Sequence, residues 1–96
     1  MKQNDEYMWE LIGVLQEISG DKKLLYAFFV DILTPAEYRE LGMRWQIVKQ
    51  LAKGVSQREI AKNLKVSIAT ITRGSRELLN EKGGFQQVLR KILKKK

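Results

Sequence analysis

Apolar residues recur along this chain at intervals of three and four, with short polar or glycine-containing interruptions, and the pattern predicts helices almost from end to end. Tyr7, Met8, Leu11, Ile12, Leu15 and Ile18 place one helix over residues 4–18, with Asp5, Glu6, Glu10 and Glu17 mostly on its wet side. Ser19, Gly20 and Asp21 stop it, Gly20 being suited to a left-handed end. A second helix from about Lys22 to Leu33 carries Leu24, Leu25, Phe28, Phe29, Ile32 and Leu33. Apolar around so much of its circumference, it requires burial on several sides. Thr34 and Pro35, with Glu37 three residues after the cap, open a third helix running to about Lys53. Its predicted inner face is Tyr38, Leu41, Trp45, Val48, Leu51 and Ala52, and Gly54 ends it. After the break EKGG, Phe85, Val88, Leu89, Ile92 and Leu93 mark a last amphipathic helix. Six helices and no strand are expected.

The stretch that organises the rest is residues 56–80, SQREIAKNLKVSIATITRGSRELLN. Ser56 is a helix cap with Glu59 at the capping-box position, and Ile60, Ala61 and Leu64 form one apolar stripe. Ser67 caps a second helix that turns Ile68, Ile71 and Leu78 or Leu79 inward. Small Ala61 allows the two helices to approach, Val66 plugs the turn, and Ile71 packs beneath. Cap, small residue, turn, cap and branched residue in that order describe a helix-turn-helix. The expected layout is a single helical domain over 1–96: residues 1–34 for dimerisation, 35–54 as connecting helix, 56–80 as the reader and 85–96 as the C-terminal helix.

Charge sharpens the assignment. The net charge is +7. Residues 1–34 carry three basic and six acidic groups, a net of −3, whereas 53–79 have +4 and 85–96 have +5. The basic excess thus begins at the helix-turn-helix, the footprint of a phosphate-binding surface. Lys94, Lys95 and Lys96 alone also read as a solubilising tail. With no cysteine and no histidine, thiolate metal sites and the usual general base are missing, and the pattern offers no nucleophile or acid-base pair, so an enzyme is not expected. No segment reaches the roughly 20 apolar residues of a membrane span. The opening MKQNDEYMWE has no signal-peptide pattern, and a cytoplasmic protein with no membrane partner is expected.

A chain of 96 residues buries only somewhat more than ~60% of the surface its unfolded form exposes. The first two helices and the last together offer more apolar surface than such a core covers comfortably. Sharing them between two copies supplies the missing core, and a homodimer is therefore expected. Two reading helices would then lie about one DNA turn apart, roughly 34 Å. In such a reader the start of the second helix enters the major groove of double-stranded DNA. Ser67, Ile68, Ala69 and Thr70 come nearest the bases, with Thr72 and Arg73 on the next turn. Ile68 and Ala69 suit thymine methyls. Gln57 and Arg58 would hold phosphate or a guanine edge, and Lys62, Lys65 and Arg76 add salt-sensitive attraction.

The segment LTPAEYRELGMRWQIVKQLAKGVSQREIAKNLKVSIATITRGS, Leu33 to Ser75, closely resembles the tryptophan-repressor family, most specifically in LTPAE, LGMRWQIV, SQRE and IATITRGS. The resemblance implies an all-α, six-helix intertwined dimer with a central helix-turn-helix, acting as a repressor at a palindromic operator. It supports Gln57, Arg58, Ile68, Ala69 and Thr72 as DNA-facing. It implies L-tryptophan as corepressor, with no cofactor required for folding. The family's two arginines that sandwich the indole correspond to Arg44 and Arg73, and its carboxylate-binding threonine to Thr34. Guanidinium planes stack on aromatic faces, and Arg73 can also pair a carboxylate. Gly74 beside it leaves room for ligand against the backbone. The family's serine that meets the ligand's amino group corresponds to Glu77 here. Two alternatives stay open: a ligand-independent DNA-binding regulator of the same fold, and a protein-protein interaction module using the helix-turn-helix.

Overall fold

The computed structural model describes residues 3–93. Lys94, Lys95 and Lys96, the tail singled out above, lie outside them. Among the described residues the elements are six helices and no strand: α1 Gln3–Ile18, α2 Lys22–Ile32, α3 Pro35–Ala52, α4 Gln57–Leu64, α5 Ile68–Leu78 and α6 Gly84–Leu93. After Tyr38 the chain divides into two compact units, so α3 begins in the first and runs on through the second.

In the first unit α1 packs on α2. Gly20 does not take the left-handed conformation expected of it; Gly54 is the only glycine with positive φ among the described residues. The end of α1 is closed instead by the Ser19 hydroxyl, which donates to the Gln16 carbonyl at 2.8 Å, and by the Asp21 amide on the Ile18 carbonyl at 3.0 Å. Asp21, read above as part of a stop, also starts α2 by accepting from the Leu24 amide at 3.1 Å. Both arms of the capping box at α3 form. The Thr34 amide donates to Glu37 at 2.9 Å, and the Glu37 amide donates to the Thr34 hydroxyl at 3.1 Å. The Tyr26 and Tyr38 rings meet edge to face at 6.1 Å.

The burial expected for α2 is not provided within one chain. None of its residues is buried, and Leu24, Tyr26, Val30 and Ile32 stand open beside Tyr7, Met8, Trp9 and Ile12 of α1. Trp9 is 66% exposed, an unusual state for so large an apolar ring.

The second unit has a small closed core of Ile47 from α3, Ile60 from α4 and Ile71 from α5, surrounded by Met43, Leu51, Val55, Ala61, Leu64 and Val66. Ile60 and Ile71 are wholly buried. The predicted inner face of α3 requires correction: Ile47, not part of it, is buried with Val48, while Tyr38, Leu41 and Ala52 are exposed. Contact with α4 and α5 selects the side of α3 that carries Ile47, and periodicity alone does not know where those helices lie. In α5 it is Leu78 that turns partly inward; Leu79 is 79% exposed and Ile68 49% exposed, contrary to the inward placement expected of Ile68.

Two helix ends use the same device. Gly54 at φ 85° closes α3, with its amide on the Leu51 carbonyl and the Val55 amide on the Gln50 carbonyl. That pair of bonds is the Schellman arrangement, which satisfies otherwise orphaned carbonyls. At the end of α4, Lys65 takes φ 58°, ψ 45°, and the Val66 amide donates to Ala61. Because the core rests on three isoleucines, shortening one is costly. Ile60→Ala should lower unfolding free energy by about 2–5 kcal/mol, read from the midpoint of a urea titration; a change below about 1 kcal/mol would show that this core does not govern the fold.

Candidate nucleic-acid interface and adjoining cavity

The turn between α4 and α5 is fixed by side chains the sequence singled out. Ser56 caps α4, accepting from the Glu59 amide at 3.2 Å; among the described residues the return bond from Glu59 to the Ser56 amide is not made, so half of that capping box forms. Ser67 caps α5, accepting from the Thr70 amide at 3.2 Å, and its hydroxyl lies 2.9 Å from that of Thr70. Each oxygen takes one of the donors that a helix start leaves unpaired. The two caps hold the helices' entry directions while Ile60, Ile71, Ala61 and Val66 hold their separation.

On α5 three faces separate by the 3.6-residue period. Ile71 faces the core, with Leu78 and Ser75 half-buried beside it. Ile68, Thr72 and Arg76 form a stripe one turn apart. Ala69, Thr70, Arg73, Gly74 and Glu77 face a cavity of about 610 Å³. Thr72 differs from its neighbours on the stripe. It is half-buried, and its hydroxyl donates to Gln57 Oε1 at 3.0 Å and to the Ile68 carbonyl at 3.0 Å, sharing one proton. Gln57 at the head of α4 is thereby tied to the middle of α5. Arg58, Lys62, Lys65, Arg73 and Arg76 are exposed, and none has an ion-pair partner among the described residues. Unpaired cations on one module leave its positive field unspent.

The cavity is walled by Glu40, Arg44, Ile47 and Val48 of α3, the five α5 residues above, and Phe85 of α6. Its size falls within the roughly 300–1,000 Å³ of small-molecule sites. The structure thus brings together Arg44, Arg73, Gly74 and Glu77. Thr34 belongs to the first unit, where its hydroxyl and amide serve the α3 cap. Arg44 pairs with Glu40 at 3.9 Å, both largely exposed, a contact worth little in water. Gly74 has a role beyond leaving room. A Cβ there would stand 3.1 Å from Ile47 Cγ2 and 3.8 Å from Leu51 Cδ1, so the missing side chain lets α5 lie close on α3. Sequence reasoning missed Phe85, Val48 and Glu40 as cavity walls; Phe85 read as an ordinary apolar position of the last helix.

The loop after α5 is pinned by polar side chains. Gln86 Nε2 donates to the Leu78 carbonyl at 2.7 Å, Gln87 Nε2 to Lys82 at 2.8 Å, and Arg90 to Glu81 at 3.2 Å. Phe85 is held in place by this anchoring. No helix among the described residues is long and apolar enough to cross a membrane.

Lys65 stands at the turn in a left-handed conformation that costs a non-glycine residue about 1–2 kcal/mol. Glycine relieves that strain, less its own ordering cost of about 0.5–1 kcal/mol. Lys65→Gly should therefore raise stability by about 0.5–1 kcal/mol, measured by thermal melting; a lower melting temperature would contradict the strained turn.

Comparison with known proteins agrees with this geometry. The Trp repressor protein family matches residues 7–93. A Trp operon repressor homolog of Vibrio vulnificus (strain YJ016) is 44% identical over 80 residues, covering 81% of this chain and 78% of the relative. One from Chlamydia trachomatis serovar L2 is 35% identical over 92 residues, covering 95% and 98%. One from Vibrio campbellii is 37% identical over 95 residues, covering 97% and 95%. With the helix-turn-helix, its cavity and these likenesses in agreement, the chain belongs to the Trp repressor family.

Proposed function

We propose that this chain works as a homodimer that represses transcription at a palindromic operator, with L-tryptophan as corepressor held in the cavity beside α5. Membership of the Trp repressor family makes it a DNA-binding transcriptional repressor and not an enzyme. The observation that carries the finer reading is the double role of α5. Ala69 and Thr70, in its first turn, line the cavity together with Arg73, and the same turn supplies the residues nearest DNA bases in a helix-turn-helix. A ligand in the cavity touches the reading helix directly, and binding of ligand and of DNA are then coupled in both directions.

In this reading Ser67, Ile68, Ala69 and Thr70 face the major groove. Exposed Ile68 supports a thymine-methyl contact. Thr72 orients Gln57 through their hydrogen bond as well as facing the duplex. Arg58, Lys62, Arg73 and Arg76 meet phosphate. Arg44 and Arg73 stack on the indole, with Gly74 and Glu77 alongside. The dimer is supported by the first unit's uncovered apolar faces, since a chain this small does not leave Tyr7, Met8, Trp9, Leu24 and Val30 in water without cost. Helix-turn-helix dimers, Trp repressors among them, set their half-sites about 34 Å apart.

Operator selection from random duplexes, at fixed salt, should enrich palindromic sites with L-tryptophan present and not without it; equal enrichment removes the ligand from the mechanism. Arg58→Ala, which removes one contact from each subunit of the dimer, should reduce the slope of log affinity against log salt by about 1.8, and an unchanged slope would take Arg58 off the phosphates. Sedimentation equilibrium should return twice the chain mass, whereas a single-chain mass would leave the apolar faces unexplained.

A further inference from the structure

Thr72 stands half-buried between exposed Ile68 and Arg76, and both bonds of its hydroxyl stay within the protein. One goes to Gln57 Oε1 and one to the Ile68 carbonyl, each at 3.0 Å. A hydroxyl has a single proton, and phosphate oxygens only accept. A proton already held between two protein acceptors leaves none for a duplex. Gln57 is the complement of this arrangement. Its Oε1 is held against α5, while its Nε2 donates to no group among the described residues. No buried side-chain polar atom is left unpaired among those residues, so that Nε2 is open to water. The bond from Thr72 thus decides which end of the amide faces out.

We propose that Thr72 is a positioning residue of the reading module: its hydroxyl makes no bond to DNA and acts on the duplex through Gln57, whose amide it holds with the N–H groups outward. The proposal rests on the reading that the heads of α4 and α5 lie on duplex DNA. Held this way, Gln57 meets acceptors, either a phosphate oxygen or the O6 and N7 of guanine. The paired contact to adenine needs both ends of the amide on the base and is excluded. A glutamine left free samples several rotamers and turns its carbonyl outward as readily as its N–H groups. Ordering such a side chain on binding weakens affinity. Each subunit of a dimer carries the pair, so the loss counts twice.

Binding of the full chain to a duplex taken from the operator selection, at fixed salt with L-tryptophan present, tests the assignment. The variants are Thr72→Val, Thr72→Ser, Gln57→Ala and the double variant Gln57→Ala with Thr72→Val. Valine keeps the branched shape and removes only the hydroxyl. Thr72→Val should weaken binding by about tenfold. Serine keeps the hydroxyl and should stay within about threefold of the unsubstituted protein. Gln57→Ala should weaken binding at least as much as Thr72→Val, and adding Thr72→Val to it should change affinity by less than about twofold. A double variant weakened by the product of the two single losses, a Thr72→Val without effect, or a serine as weak as the valine overturns the positioning role and leaves the module on DNA. Gln57→Ala without effect overturns both that role and the placement of the head of α4 on the duplex.

Discussion

The contact among Ile47, Ile60 and Ile71 is the constraint on which the reading module depends. Three branched side chains from three helices meet with almost no access to water, and little else in the second unit is as fully enclosed. Branched residues have few rotamers, so their contact fixes helix positions more sharply than longer chains would. The caps at Ser56 and Ser67 and the left-handed Lys65 then fix the directions in which α4 and α5 leave that contact. The bond from the Thr72 hydroxyl to Gln57 adds a polar tie between the same two helices.

From that contact follows the division of labour on α5. Once Ile71 is turned inward, the helical period leaves Ile68 and Arg76 outward and Arg73, Gly74 and Glu77 toward α3. The core therefore sets which residues line the cavity, and of its buried residues only Ile47 and Val48 of α3 touch it. Gly74 brings the two walls together, since a side chain there would press on Ile47. One helix consequently presents different chemistry on two open sides, and a change at either is felt along the same rigid element.

The first unit shows the opposite condition. Its helices have the apolar periodicity of well-packed elements, yet no residue of α2 is buried. The polar features are complete, with Asp21 capping α2 and the Thr34–Glu37 box capping α3, so the helices are locally well specified. What they lack is a covering surface. Local bonding and core formation are separate requirements, and the chain satisfies the first here without the second.

The helices themselves were legible in the residues. Their number, order and ends within a residue or two follow from periodicity, from Thr34–Pro35 and from the serine caps, because these signals act over three or four residues. The helix-turn-helix was legible too, since Ala61, Val66 and Ile71 do their work at fixed short spacing. Tertiary structure alone decided which side of α3 is inner, because that depends on where α4 and α5 pack, and so it moved the core from the Tyr38–Leu41 line to Ile47. It alone brought Glu40, Val48 and Phe85 around Arg73 and Glu77, residues whose sequence separation hides their proximity. It also turned Thr72 from a free surface hydroxyl into a link to Gln57, fifteen positions away. Local chemistry writes the helices; which of their faces meet is a property of the packed chain.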